Sequence, residues 1–141
     1  MEPPVERTPT KRPLRALLRR GGIAVGGSLL VNWGIVAAVR ATALVGPLEY
    51  FQFGPVTLWT TVGVIGAVVV YRIVDALSGR PDRTFTVVAG AVLVLSFGPN
   101  VGLFLFDPAA TAGGVVGLMS MHVTTAIICV AALTADTRER T

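Results

Sequence analysis

The chain has 141 residues, of which 52% are hydrophobic, 14% charged and 7% aromatic, and its formal charge is +4. A soluble domain carries about a quarter of its residues charged, so this composition, with a mean hydropathy of +0.70, argues against water as the main solvent. One cysteine excludes an intrachain disulfide and a CxxC redox pair. The basic balance does not call for nucleic acid, because Lys and Arg sit at the edges of long uncharged runs, where cytoplasmic loops of membrane proteins collect them.

The opening "MEPPVERTPTKRP" is proline-rich and too polar to offset the entropy of ordering. It reads as part of a mobile basic cytoplasmic tail, residues 1–20. Within "LRALLRRGG", Leu14, Leu17 and Leu18 share one helical face and Arg12, Arg15 and Arg19 another, a pattern that suits a short helix lying in the headgroup layer and running into the first span. A charged stop before a membrane helix fits the same letters.

Four apolar spans follow at about 21–43, 56–77, 85–106 and 112–135. Each reaches the ~20 residues that a helix needs to cross ~30 Å of hydrocarbon. No segment alternates apolar and polar residues as a membrane barrel strand would. "SGRPDRT" (78–84) predicts a tight turn, with Gly79 left-handed at the end of span 2, Pro81 blocking continuation, and Asp82 or Thr84 capping span 3. "FDPAATAGG" (106–114) predicts a second short turn. The 44–55 segment, "LVGPLEYFQFGP", places Tyr50, Phe51 and Phe53, with Trp59 after it, at the membrane–water boundary.

If the N-terminus is cytoplasmic, that side holds Arg7, Lys11, Arg12, Arg15, Arg19, Arg20, Arg72, Arg80, Arg83, Arg138 and Arg140, and the other side holds Arg40 alone. This bias predicts both termini inside, with residues 136–141 as a cytoplasmic C-terminal tail. A cleaved signal peptide ending near "ATA" (41–43) is the competing reading of span 1. Its basic region is long for that role, its apolar run is span-length, and cleavage would leave three spans with a poorer charge pattern.

His122 lies about 15 Å into span 4 at 1.5 Å per residue. A polar side chain at that depth should face the bundle interior or a cavity. The expectation is an interhelical hydrogen bond, with Asn32 of span 1 as its partner. Proton handling and metal or haem ligation are the alternatives. His122 with Met119 and Met121 is the set that would suit a soft cuprous ion, and a bis-histidine haem would need two copies of the chain. Thr124 and Thr125 can bond to their own helix or across to a neighbour. Pro99 in "SFGPN" removes a backbone donor and predicts a bend in span 3, with Asn100 and Ser96 able to satisfy freed carbonyls. Arg72 and Asp75 are expected to pair at i, i+3. Small residues at Gly22 and Gly26, at Gly63, Gly66 and Ala67, at Gly90, and at Gly113 and Gly117 predict close helix packing and a homo-oligomer.

No carboxylate lies in the interior of a span, Asp75 standing at the cytoplasmic end of span 2, and no phosphate loop, HExxH or nucleophile triad is present. No catalytic residue, resident metal or cofactor is therefore expected, and the chain is not expected to be an enzyme. Its only expected partners are the lipid bilayer and other copies of itself.

The basic tail, "GPVTLWTTVGVIGAVVV" opening span 2, "RPDRTFTVVAGAVLVLSFGP" opening span 3, and "GLMSMHVTTAIICV" with its Met121–His122 pair together resemble an uncharacterised family. It comprises small four-helix membrane proteins seen in actinobacteria and haloarchaea, classed as a domain of unknown function. The resemblance covers most of the chain after Gly21 and implies a four-span fold without supplying an activity. The reading is thus an all-α integral bundle of four antiparallel transmembrane helices in the plasma membrane, N-in and C-in. Its expected role is an accessory or structural membrane component. A small oligomeric transporter or channel with a path near His122 is the alternative, and a metal- or haem-binding redox subunit a further one.

Overall fold

The computed structural model describes residues 12–42 and 50–135, so the tail at 1–11, the 43–49 part of the first loop and the tail at 136–141 lie outside the described residues. The described residues form four α-helices and no strand: α1 (Leu14–Ala41), α2 (Phe53–Leu77), α3 (Pro81–Phe106) and α4 (Ala112–Thr134). All four are long and apolar enough to cross a membrane. The stretch read as a short interfacial helix running into span 1 forms one continuous helix with it. No proline separates the two, and Gly21–Gly22 costs only about 1 kcal/mol per residue. At 28 residues, α1 is about 42 Å long, so its arginine-bearing start extends past the hydrocarbon.

Local chemistry sets the turns. α2 ends because Ser78 itself leaves the helix in extended backbone (φ −110°, ψ 137°). Gly79 is not left-handed, contrary to expectation, since the exit has already been made one residue earlier. The Ser78 hydroxyl accepts from the Arg80 N–H at 3.1 Å and pairs with Thr84 Oγ1 at 2.9 Å. Pro81 then opens α3, where a missing N–H costs nothing. Neither Asp82 nor Thr84 caps that helix; Asp82 has partners elsewhere. Before α4, Asp107 Oδ1 accepts from the Ala109 N–H at 2.9 Å and Thr111 Oγ1 from the Gly114 N–H at 3.1 Å, which meets one of the helix's orphan donors.

The distribution of polarity is inverted relative to a soluble protein. Large apolar side chains such as Leu30, Ile65, Leu95 and Phe106 are exposed, whereas Arg20, Ser28, Asn32, Thr60 and Asn100 are buried. Water would penalise an apolar surface this extensive, and hydrocarbon does not, so packing here rests on side-chain fit and internal hydrogen bonds. One apolar cluster joins Leu17, Tyr71, Phe85 and Leu133, which brings together the start of α1, the end of α2, the start of α3 and the end of α4. A second joins Val36, Phe51, Val56 and Met121. A third, of Ala24, Val64 and Cys129, lies between α1, α2 and α4. α3 is the loosest member, with only Phe85 and Asn100 buried.

The aromatic segment divides. Tyr50, Phe53 and Trp59 are exposed, and Trp33 donates from Nε1 to Thr57 Oγ1 at 2.9 Å and meets Phe53 edge-on. Phe51 instead turns inward and is buried. Its ring occupies the space beside Gly117, where a Cβ would come within 2.8 Å of it. Gly117 therefore accommodates an aromatic ring rather than another helix backbone. Gly21 is the close approach between α1 and α2, with Val68 Cγ2 2.8 Å from where a Cβ would be. A Cβ at Gly22, Gly26, Gly63, Gly66 or Gly90 would meet nothing within 4 Å, so no described neighbour packs closely on those positions.

Candidate functional site

Three helices meet at Asn32. It lies on the inward stripe of α1 with Ala24, Ser28 and Val36, and it is 2% exposed. Its Nδ2 donates to Thr60 Oγ1 of α2 at 2.9 Å and to Thr125 Oγ1 of α4 at 3.0 Å. Its Oδ1 accepts from Thr124 Oγ1 at 3.1 Å. An amide buried in hydrocarbon must satisfy both donors and its acceptor internally, and this one does so while tying α1 to α2 and α4. Thr124 also reaches its own helix, 3.1 Å from the Met121 carbonyl. Ser28, one turn earlier on the same face, has a buried hydroxyl without a partner among the described residues.

His122 is not the partner of Asn32. Its ring is exposed, and Nδ1 lies 2.8 Å from the Leu118 carbonyl of its own helix. That carbonyl can only accept, so Nδ1 carries a hydrogen; in the tautomer with its single hydrogen on Nδ1, Nε2 is an acceptor. The threonines compete successfully for Asn32 because their short side chains point across the interface from the buried side of α4, which His122 does not share. Met121 packs against Val36, Phe51 and Val56, so its thioether is engaged in the core. Among the described residues no three His, Cys, Asp or Glu side chains are grouped as metal ligands.

His122 lines a cleft of about 740 Å³ bounded by α2, α3 and α4, with Asn32 behind it. Thr60, Thr125, Ser96, Pro99 and Asn100 contribute to the same wall, and the rest of the described lining is overwhelmingly apolar and carries no charge. The cleft exists where α3 stands away from α2. α3 runs through Pro99 without a break from Pro81 to Phe106, although Pro99 deprives the Leu95 carbonyl of its donor. The side chains serve nearby carbonyls: Asn100 Nδ2 donates to Ser96 O at 3.1 Å and Ser96 Oγ to Leu93 O at 2.6 Å. Asn100 is 7% exposed, and among the described residues its Oδ1 accepts no hydrogen bond. The structure thus brings His122, Asn32, Asn100, Pro99 and Thr125 to one cleft. Only Asn32 and Thr125 bond each other.

A second polar centre lies at the end of the bundle where α1 and α3 start. Arg12 places its Nη2 3.0 and 2.9 Å from the two Asp82 oxygens, and its Nη1 donates to the Leu133 carbonyl at 2.7 Å. The Tyr71 hydroxyl donates to Asp82 Oδ1 at 2.6 Å, and the guanidinium lies 5.3 Å from the Tyr71 ring centroid. Arg20 adds a bond to the same Leu133 carbonyl at 3.3 Å. Cations at the exposed carbonyls of a helix C-terminus are favourable. Sequence reading missed this centre, since an arginine before a span reads as topology and nothing local pairs it with an aspartate 70 positions on. The local pair it did predict is present, with Arg72 Nη1 3.3 Å from Asp75 Oδ2.

A family model described as "Family of unknown function (DUF6069)" matches residues 12–139. No curated protein and no solved structure matches the chain.

Proposed function

The chain belongs to the DUF6069 family of unknown function, and from its geometry we propose that it is a non-enzymatic accessory or structural component of the membrane. It is a multi-pass membrane protein by its four apolar helices. The observation that carries the proposal is how its polar side chains are spent. At mid-span Asn32, Thr60, Thr124 and Thr125 join three helices, and at the Arg12 end Arg12 and Asp82 join the starts of α1 and α3 to the end of α4. Among the described residues no carboxylate lines the cleft, and no three His, Cys, Asp or Glu side chains are grouped.

The plasma membrane, with an antiparallel, N-in and C-in course, is the arrangement that fits best. The contacts linking Leu17, Tyr71, Phe85 and Leu133 support the alternating direction. The eleven-to-one division of basic residues supports the orientation. The open small-residue positions Gly22, Gly26 and Gly90, none of which lines the cleft, support association with further copies through glycine-lined faces. The cleft beside His122 favours the second reading, a small transporter.

The two readings separate in sealed proteoliposomes. The wild-type chain is expected to leave proton, potassium and chloride leakage at the protein-free level. A flux that His122→Ala removes, with thermal stability intact, would overturn the accessory role and support transport.

A further inference from the structure

We propose that the cleft between α2, α3 and α4 binds a neutral, hydroxyl-bearing lipophile drawn from the bilayer. Its apolar body would lie along α2 and α3, and its hydroxyl would donate to Asn100 Oδ1 or His122 Nε2. The site does not depend on the accessory reading, since a bound lipophile can be retained or carried.

Size and wall chemistry come first. About 740 Å³ falls within the range of small-molecule sites, which are apolar with a few placed polar groups. No Asp, Glu, Lys or Arg appears among the described lining residues. An anionic headgroup would therefore enter without a counter-charge, at a cost that a low-dielectric site does not return. A cationic group would fare no better.

The polar atoms then select among neutral molecules. Asn100 is more than nine-tenths buried, and its Nδ2 is committed to the Ser96 carbonyl, which leaves Oδ1 as an unfilled acceptor on the wall. His122 has the same character: Nδ1 is committed to Leu118 O, and Nε2 is a lone pair. The Ser96 hydroxyl, the nearest possible donor on α3, is already given to Leu93 O. Acceptors without donors are costly where no bulk water reaches. An acyl chain of an ordinary phospholipid would cover the apolar walls and leave both acceptors unmet. A hydroxyl supplies the missing hydrogen, and its oxygen can accept in turn from Thr60 or Thr125, which also line the cleft. A long-chain, isoprenoid or polycyclic alcohol, or a hydroquinone, has this chemistry.

The test uses the purified full chain in phosphatidylcholine nanodiscs, with a diazirine-bearing hexadecanol as photolabel and peptide mapping by mass spectrometry. Unlabelled hexadecanol, hexadecyl methyl ether and hexadecyl phosphate serve as competitors. Label is expected on α3 and α4 around Asn100 and His122. Hexadecanol should compete about tenfold better than the ether, the value of one net hydrogen bond, and better than the phosphate. At least one of His122→Phe and Asn100→Leu should shrink the alcohol-over-ether preference about threefold or more. Should Asn100→Leu fail to fold, Asn100→Asp takes its place, and the wild-type preference still decides. Equal competition by alcohol and ether, preference for the phosphate, label spread evenly over all four helices, or a preference untouched by both His122→Phe and Asn100→Leu would each overturn the proposal.

Discussion

Replacing Asn32 with Leu removes three interhelical hydrogen bonds at once, those to Thr60, Thr125 and Thr124 at 2.9, 3.0 and 3.1 Å. Hydrogen bonds between membrane helices average about 0.6 kcal/mol and reach about 1.7. The Thr124 hydroxyl has the Met121 carbonyl in reach, and threonines left without a partner can turn back to their own helix. Leu also fills the volume of Asn. The expected loss is therefore about 2 kcal/mol, or roughly 30-fold in the folding equilibrium, well short of the cost of a stranded buried amide. Asn32→Asp should cost more, because a carboxylate has no donors for the threonine oxygens and a charge at this depth adds about 2.5–3.5 kcal/mol. Ser28→Ala, which removes a buried hydroxyl that bonds nothing, should cost nothing or gain slightly. Reversible unfolding in mixed micelles with increasing SDS fraction, followed by far-ultraviolet circular dichroism, measures all three. A cycle with Thr60→Val should show positive coupling near the average bond. If Asn32→Leu is as stable as wild type, or Ser28→Ala is the more damaging change, the account of how α1 is held is wrong.

Two further outcomes follow from the packing. Gly117→Ala should cost about 1–3 kcal/mol as an overpacked contact with the Phe51 ring. Phe51→Leu in the same chain should restore most of it, and Gly22→Ala, which meets open space, should stay within about 0.5 kcal/mol of wild type; thermal melts in detergent compare them. Trp59 is 70% exposed on a helix read as lipid-facing, so in a Trp33→Phe chain its fluorescence should be quenched by brominated acyl chains and spared by aqueous iodide. The reverse pattern would place that face in water.

Much of the fold was legible because its determinants are local and one-dimensional. The absence of charge between Ala41 and Tyr71 apart from Glu49 is visible without any knowledge of neighbours. So are the proline at the start of α3 and the Arg72–Asp75 pair. The candidate site was legible as a set and not as a set of bonds. His122, Asn32, Asn100, Pro99 and Thr125 share one cleft, yet the expected His122–Asn32 bond is absent. Depth along a helix follows from counting at 1.5 Å per residue, but the rotation that decides which of two side chains faces Asn32 depends on how α4 packs. The same holds for Phe51, which composition assigned to the interface and packing drew inward beside Gly117.

The amino-acid order alone determined that hydrocarbon surrounds four helices, since transfer of apolar length and exclusion of charge are additive along a chain and need no partner. Tertiary structure alone decided which polar groups meet. Arg12 finds Asp82 and the Tyr71 ring, Asn32 finds three threonines, and Asn100 and His122 share one cleft wall. Hydrogen bonds need angstrom-scale proximity and direction, and residues many positions apart acquire these only when the helices have chosen their faces.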